Sequence, residues 1–309
     1  MKKLKDFYNN LSVLVTGGAG FIGSHLAEKL VELGAKVTII DNLSTGKITN
    51  LENIKQKLQF IQGDITDLKT CIKVTQNQKI IFHLAAFVSV PESIKNPNLC
   101  NDTNVTGTFN LLESAKLNNV EKLIFSSSSA VYGNKEGLCT EADSCNPTSI
   151  YGYSKLIGEI YCKQYFDFFN LKTICLRYFN VYGPRQNPNG EYAAAFAKFN
   201  DLMKNNKPIT IFGDGKQTRD FINVNEVVNA NLNLAMLENE LNGQAVNIAS
   251  GTSITLLNLI EAIKQNFPKY SENIIFEPAR FGDVKYSQAS VKLYKEIVEL
   301  NLKEIYENY

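Results

Sequence analysis

Along the chain, short and almost wholly apolar runs alternate with longer stretches whose apolar residues recur every three or four positions. Ser12-Val13-Leu14-Val15-Thr16, Lys36 to Ile40, Gln59 to Gln62, Lys79 to Phe82, Lys122 to Phe125 and Thr173 to Arg177 are short apolar runs, so they read as buried strands. Ile22 to Leu33 has helical spacing, as do segments between the later strands. Buried strands alternating with helices form a parallel sheet covered on both faces. The expected fold is α/β: a Rossmann-type doubly wound parallel sheet with a smaller mixed α/β substrate-binding C-terminal domain. Loops with Gly, Pro and Asn become denser from Asn180. Residues 1–179 should therefore form the first domain, with segments at roughly 219–250 returning to it, and 180–309 mainly the second.

Composition narrows the function. A 44% hydrophobic, 20% charged chain of 309 residues with net charge +1 is an ordinary globular composition. No long run of one charge sign marks nucleic acid or a membrane surface as partner. The six cysteines (71, 100, 139, 145, 162 and 175) lack paired spacing, and with only two histidines no metal site is expected. Reduced thiols and a cytoplasmic location are the expectation. The start MKKLKDFYNNLSVLV imitates a signal peptide, but its apolar run breaks at Gly17-Gly18-Ala19-Gly20. No stretch reaches the roughly 18 apolar residues of a membrane helix.

Candidate chemistry begins after the first strand. Gly17, Gly20 and Gly23 in GGAGFIG give a tight turn, close backbone approach to a pyrophosphate and close helix–strand packing, and a helix opens at their end. Asp41, ending the second strand, can accept bonds from both ribose hydroxyls and would repel a 2′-phosphate, which favours NAD over NADP. Asp64, with Ile65, follows the third strand, where a carboxylate can meet an adenine amino group. Leu84-Ala85-Ala86 closes the fourth strand with small residues, and His83 beside it reads as a packed residue. In TSIYGYSKLIGE, Tyr151 and Lys155 share a helical face behind a cap at Thr148 or Ser149. A phenol is a poor base near neutrality unless a fixed cation favours its phenolate.

The ordered motifs GGAGFIG, DNLSTG (41–46), HLAA (83–86), SSSSAVYG (126–133), YGYSK (151–155), RYFNVYGPRQNPNG (177–190) and GDGKQTRDF (213–221) make the chain resemble the extended short-chain dehydrogenase/reductase superfamily. Within it, the chain resembles the nucleotide-sugar 4-epimerases, from about residue 11 to residue 290. The resemblance implies NAD as cofactor, a UDP-sugar as substrate and catalysis by Ser128, Tyr151 and Lys155, with Tyr153 excluded because no lysine lies four residues on. It also implies that Tyr151 and Lys155 contact NAD, and that Lys155 and the nicotinamide lower the phenol's pKa. Further cofactor contacts are implied at Gly17, Gly20, Phe21, Ile22, Gly23, Asp41, Asn42, Ser44 and Gly46, then at Asp64, Ile65, Leu84, Ala85, Ala86, Asn104 and Tyr178. The substrate side comprises Ser128, Ser129 and Tyr151, with Asn180, Arg219, Arg280 and Asp283 for the uridine diphosphate.

Related dehydratases and decarboxylases carry acids in the serine loop, where this chain reads Ser128-Ser129-Ala130, so epimerisation is expected. Ser287 replaces a bulky residue that restricts relatives to plain hexoses, and Ser89 and Gln186 resemble the group preferring N-acetylated sugars. UDP-GlcNAc/UDP-GalNAc is therefore expected ahead of UDP-Glc/UDP-Gal and the UDP-uronic acids. A non-catalytic dinucleotide-binding protein would keep the glycines and lose the serine, tyrosine or lysine; all are present. Two departures from the family are the missing proline near Ala197 and a short tail with an apolar stripe at Leu293, Ile297, Leu300 and Ile305. The resemblance implies a homodimer through the helix from Tyr151 to Phe169 and the one near 98–117, and the apolar residues around much of the first helix's circumference fit that.

Overall fold

The computed structural model describes residues 2–188, 195–238, 241–279 and 285–298. Its strands are β1 (Ser12–Thr16), β2 (Lys36–Asp41), β3 (Leu58–Gln62), β4 (Ile80–His83), β5 (Lys122–Ser128), β6 (Lys172–Tyr178), β7 (Asn180–Tyr182), β8 (Ile209–Phe212), β9 (Thr218–Asn223), β10 (Gln244–Ile248), β11 (Ser253–Thr255) and β12 (Ile274–Glu277). The helices are α1 (Lys2–Tyr8), α2 (Phe21–Glu32), α3 (Leu68–Val74), α4 (Val90–Lys95), α5 (Pro97–Asn101), α6 (Gly107–Leu117), α7 (Ile150–Phe169), α8 (Ala195–Lys204), α9 (Val224–Ala235) and α10 (Leu256–Lys264).

Seven strands form one parallel sheet in the order β10-β6-β5-β4-β1-β2-β3. Strand alternation distributes the side chains between two cores. Val13, Val15, Ile124 and Leu176 pack with α2 and α9 on one face. Leu14, Leu123, Phe125 and Cys175 pack with α3, α6 and α7 on the other. This is why the strands lack polar alternation: each is covered twice. The strand order reverses between β1 and β4, which opens a crevice at their C-terminal ends, the usual ligand position in such sheets.

The smaller part has its own core, with Phe199, Met203, Ile209, Ile211, Leu259 and Ile263. It contains the three-stranded sheet β11-β9-β7 and the pair β12-β8. Within the segment expected to return to the first domain, α9 and β10 pack there, whereas β9 joins the small sheet. Here Asp220 and Ile222 are buried, Ile222 in the α2/α9 core, while Phe221 on the opposite strand face packs against the core of the smaller part.

Residues Lys2–Tyr8 form α1, whose Tyr8 is fully buried and donates its hydroxyl to the Leu232 carbonyl at 2.8 Å. At the other end, residues 292–298 are helical, and Leu293, Tyr294 and Ile297 pack on the α2/α9 core. Leu300 and Ile305 lie outside the described residues. No described residue therefore covers the outer face of α7, where Ile160 and Phe168 are 48% and 76% exposed beside Leu99 and Phe109.

Candidate active site

The phosphate loop leaves β1 through Gly17, held at φ +67° with its N–H on the Ile40 carbonyl at 2.8 Å. A Cβ on Gly17 would lie 2.7 Å from the Ala85 nitrogen, and one on Gly23 would lie 2.2 Å from the Gly17 carbonyl oxygen. Glycine at these positions lets the β1 turn, the 84–86 turn and α2 approach one another. Helix α2 starts at Phe21 behind Gly20, with no side-chain cap. Its first-turn N–H groups and positive dipole end, at Phe21, Ile22 and Gly23, form a cradle suited to a pyrophosphate.

Asp41 is buried and accepts from Ala19 N at 2.9 Å and Leu43 N at 2.8 Å, tying the phosphate loop to the 41–46 turn. A Cβ on Gly46 would lie 2.9 Å from both Asp41 carboxylate oxygens, so the turn closes directly over the acid. Beside it, Asn42 donates to Asp64 at 2.8 Å and accepts from Ser44 N at 3.0 Å. Burial raises the Asp64 pKa, but bonds from Thr66 and Asn42 outweigh it and the net shift is downward. Ile65 is buried against α6, where a Cβ on Gly107 would meet its side chain at 2.6 Å.

His83 is the packed residue that its sequence context predicts, and its bonds fix one tautomer. Thr108 Oγ1 donates to the Asn104 carbonyl at 2.6 Å, so it accepts from His83 Nε2 at 2.9 Å. Thr16 Oγ1 accepts from Ala85 N at 3.1 Å and donates to His83 Nδ1 at 2.8 Å. The imidazole is neutral, its pKa lowered to about 3 by burial and then by the Lys155 charge. Asn104, in a π-helical turn at Asp102–Thr106, extends this network. Its side chain accepts from Phe87 N at 2.7 Å and donates to Phe87 O and Ser154 Oγ, both at 2.9 Å. Ser154 Oγ in turn donates to the Tyr151 carbonyl at 2.8 Å. Asn104, expected as a cofactor contact, has both amide hydrogens in these bonds and braces the 84–87 wall against α7. Tyr178 likewise has its hydroxyl between Ser126 and Asn231, at 3.3 and 3.0 Å.

Ser128 ends β5, and its Oγ caps the following 3-10 turn by accepting from Ala130 N at 3.2 Å. Ser129 opens that turn. Ser149 caps α7, accepting from Gly152 N at 3.0 Å, and this sets Tyr151 in the first turn. The Tyr151 backbone N–H donates to Ser93 Oγ at 3.2 Å, and its phenol hydrogen-bonds the Ser128 side chain. One turn on, Lys155 Nζ donates to the Ser126 carbonyl at 2.8 Å and lies 5.0 Å from the Phe125 ring centroid. Tyr153 is 52% exposed and stands apart.

The lowering expected of the Tyr151 pKa rests on Lys155 and the nicotinamide together; from the chain's own groups the shift is upward. Burial pushes it up to about 12, and the Ser128 hydrogen bond opposes that only in part. Lys155, itself lowered to about 8 by burial, has its Nζ 6.0 Å from the Tyr151 ring centroid.

On the substrate side, Asn180 Nδ2 donates to the Asp220 carbonyl at 2.9 Å and approaches Ser287 Oγ at 3.5 Å. Asp220 is buried, and its carboxylate gathers Ser250 N, Ser250 Oγ, Gly251 N and Ala289 N at 2.7–3.2 Å. It thereby anchors the 287–290 segment. Arg219 donates to its neighbour's carbonyl, Thr218 O, at 2.8 Å. On the same strand face, Phe221 joins Tyr182, Phe196, Ser250 and Thr252 in lining a cavity of about 260 Å³. Gln186 Nε2 donates to Val181 O at 2.8 Å, and its buried Oε1 has no partner among the described residues. Ser89 caps α4 by accepting from Glu92 N at 3.2 Å. Arg280 and Asp283 lie outside the described residues.

One element of the site escaped the sequence reading. Arg177 on β6 forms a bidentate, buried ion pair with Glu159 on α7, at 2.9 and 2.7 Å. Glu159 also accepts from Ser127, beside Ser128, and Arg177 donates to Tyr132 at 2.9 Å. The available signals were an arginine inside an apolar strand and a glutamate one turn beyond Lys155.

Comparison with known proteins matches residues 13–249 to a family model described as the NAD dependent epimerase/dehydratase family. A curated relative, the putative UDP-glucose 4-epimerase of Methanocaldococcus jannaschii, is 40% identical over 298 residues, covering 94% of this chain and 95% of its own. The solved UDP-N-acetylglucosamine 4-epimerase of Methanobrevibacter ruminantium, in complex with UDP-N-acetylmuramic acid, superposes with a TM-score of 0.89 at 40% identity, covering 94% and 92%. The solved UDP-glucose 4-epimerase of Thermotoga maritima, with UDP-glucose, gives 0.88 at 37% identity, covering 93% and 92%.

Proposed function

From the premise that this chain belongs to the NAD dependent epimerase/dehydratase family, we propose that it interconverts the C4 epimers of a UDP-sugar through a transient 4-ketone, with UDP-GlcNAc/UDP-GalNAc its preferred pair. The observation that carries the epimerase reading is the convergence of Ser128, Tyr151 and Lys155 at a loop whose next positions, Ser129 and Ala130, hold no carboxylate. Elimination or decarboxylation at C5 or C6 would need a proton handler there; epimerisation needs none.

The N–H groups at 21–23 would hold the pyrophosphate of NAD, Asp41 the adenosine ribose, and Asp64 with Asn42 the adenine edge. Ala85 and Ala86 would offer a wall without side-chain bulk. When bound, NAD supplies the hydride acceptor and donor at C4, and its positive ring supplies the charge that the Tyr151 phenol lacks here. Tyr151 Oη takes the C4 hydroxyl proton and returns it, while the Ser128 hydroxyl orients that oxygen. Lys155, fixed by the Ser126 carbonyl, would hold the nicotinamide-side ribose and favour the phenolate.

Arg219, with Arg280 and Asp283, would meet the diphosphate and uridine, Tyr182 and Phe221 offering ring faces beside them. Ser287, next to Asn180, would leave room for a C2 acetamido group, and the unpartnered Gln186 Oε1 would accept from a sugar donor. The exposed apolar face of α6 and α7 supports a homodimer. Proton NMR of the protein with NAD and either UDP-GlcNAc or UDP-glucose tests the reading. Faster inversion of the N-acetylated sugar is expected. Turnover of UDP-glucose alone would refute the assignment of Ser287, and inertness toward both would refute the function.

A further inference from the structure

Loop residues Gly183 to Gln186 leave β7 in the substrate part and land on α2, the helix that opens at the phosphate loop. A Cβ on Gly183 would lie 2.6 Å from Val224 Cγ1 and 3.7 Å from Phe21 Cε2, so the loop starts pressed against α9 and α2. The Pro184 carbonyl lies 3.0 Å from His25 Nε2. Arg185 then takes a left-handed backbone conformation, φ +66°, that non-glycine residues adopt uncommonly. Its guanidinium makes a forked contact: Nη1 donates to Ser24 Oγ at 3.1 Å and Nη2 to Glu28 at 2.7 Å. Arg185 and Glu28 side chains are each only 22% exposed, so the pair is better shielded than the surface pairs on α2 or α4. Sequence reading assigns neither residue a role.

The three contacts on α2 (Ser24, His25 and Glu28) lie within two turns of the N–H groups at 21–23. In the other direction the loop is continuous with Asn180 and Tyr182, and β7 pairs with β9, which carries Arg219. One short loop thus bridges both walls of the crevice, and the walls cannot separate without breaking the clamp.

We propose that the Arg185–Glu28 clamp, with the His25–Pro184 contact, is a retention device for the bound dinucleotide. Its purpose rests on the epimerase reading. There the dinucleotide is reduced and reoxidised within one turnover, and its loss between the two hydride transfers would strand the sugar as a ketone. A dehydrogenase that exchanges its cofactor each cycle has no use for such a closure.

The test uses the full chain without any sugar, so it does not depend on the substrate assignment. NADH is bound to the protein, excess NAD is added, and the loss of bound-NADH fluorescence gives the release rate. Arg185→Ala and Glu28→Gln should each release NADH about tenfold faster, a loss of about 1.4 kcal/mol of retention. Thermal midpoints of the dinucleotide-free proteins should stay within about 2 °C of the parent. The charge-exchanged double variant Arg185→Glu/Glu28→Arg should recover most of the loss. Glu28→Gln preserves shape, so the test survives if Arg185→Ala folds poorly. Release within about twofold of the parent in both single variants, or acceleration that merely follows a falling thermal midpoint, would overturn the proposal.

Discussion

Acidification should destabilise the fold through His83 by an amount that can be isolated. The imidazole is 1% exposed and neutral, accepting from Thr16 at one nitrogen and donating to Thr108 at the other. Its pKa of about 3 lies below the 6.5 of a free imidazole because burial, and then the Lys155 charge, disfavours a second cation. Between those values the unfolded chain takes up a proton that the folded chain refuses. The contribution is therefore complete above pH 6.5 and shrinks as pH falls toward 3, by about 1.4 kcal/mol per unit. From pH 6.5 to 5.0 the loss is about 2 kcal/mol. In His83→Gln this titration is gone, while the carboxylates common to both proteins cancel in the difference. Urea unfolding at pH 7.5, 6.5, 5.5 and 5.0 measures it. The parent should lead at pH 7.5 by about 1–2 kcal/mol, from the two buried hydrogen bonds, and that lead should vanish by pH 5.0. A lead constant to within about 0.5 kcal/mol over the range would refute the argument.

Tyr151→Phe should fold normally, keep NAD and lose about 10²–10⁴-fold in kcat, measured by product formation; activity within a few-fold of the parent would move the proton transfer elsewhere. Ser287→Tyr, at a site 9% exposed beside Asn180, should depress turnover of the N-acetylated sugar more than that of UDP-glucose in a direct competition assay. Glu159→Ala leaves Arg177 buried without its partner and should cost about 3–5 kcal/mol, seen as a lowered unfolding midpoint.

Much of this architecture was legible because each buried strand is a local object: a short run of apolar residues reports both its conformation and its double burial. The phosphate loop was legible for the same reason, since its glycines, strand and helix are contiguous. What the sequence could not reveal are contacts made across long separations. Asn104 is expected only as a cofactor contact, yet it braces Phe87 and Ser154. Arg185 reads as a loop cation, yet it grips a helix near the start of the chain. The Tyr151 pKa was expected to fall through Lys155 and the nicotinamide together, whereas within the chain burial, which spacing cannot express, pushes it up. The initial lysines read only as an imitation of a signal peptide, and the contact between Tyr8 and Leu232 shows where the helix they open is packed.

The central claim is that hydrogen leaves C4 of the sugar and returns to the same carbon of the same molecule. Incubating UDP-GlcNAc deuterated at C4 with the protein and NAD in ordinary water, and reading both epimers by NMR and mass spectrometry, tests it directly. The account predicts that the C4 epimer forms with its deuterium retained at C4. Washout of the label to solvent would contradict it, pointing to inversion by proton abstraction from carbon rather than by transfer to and from NAD.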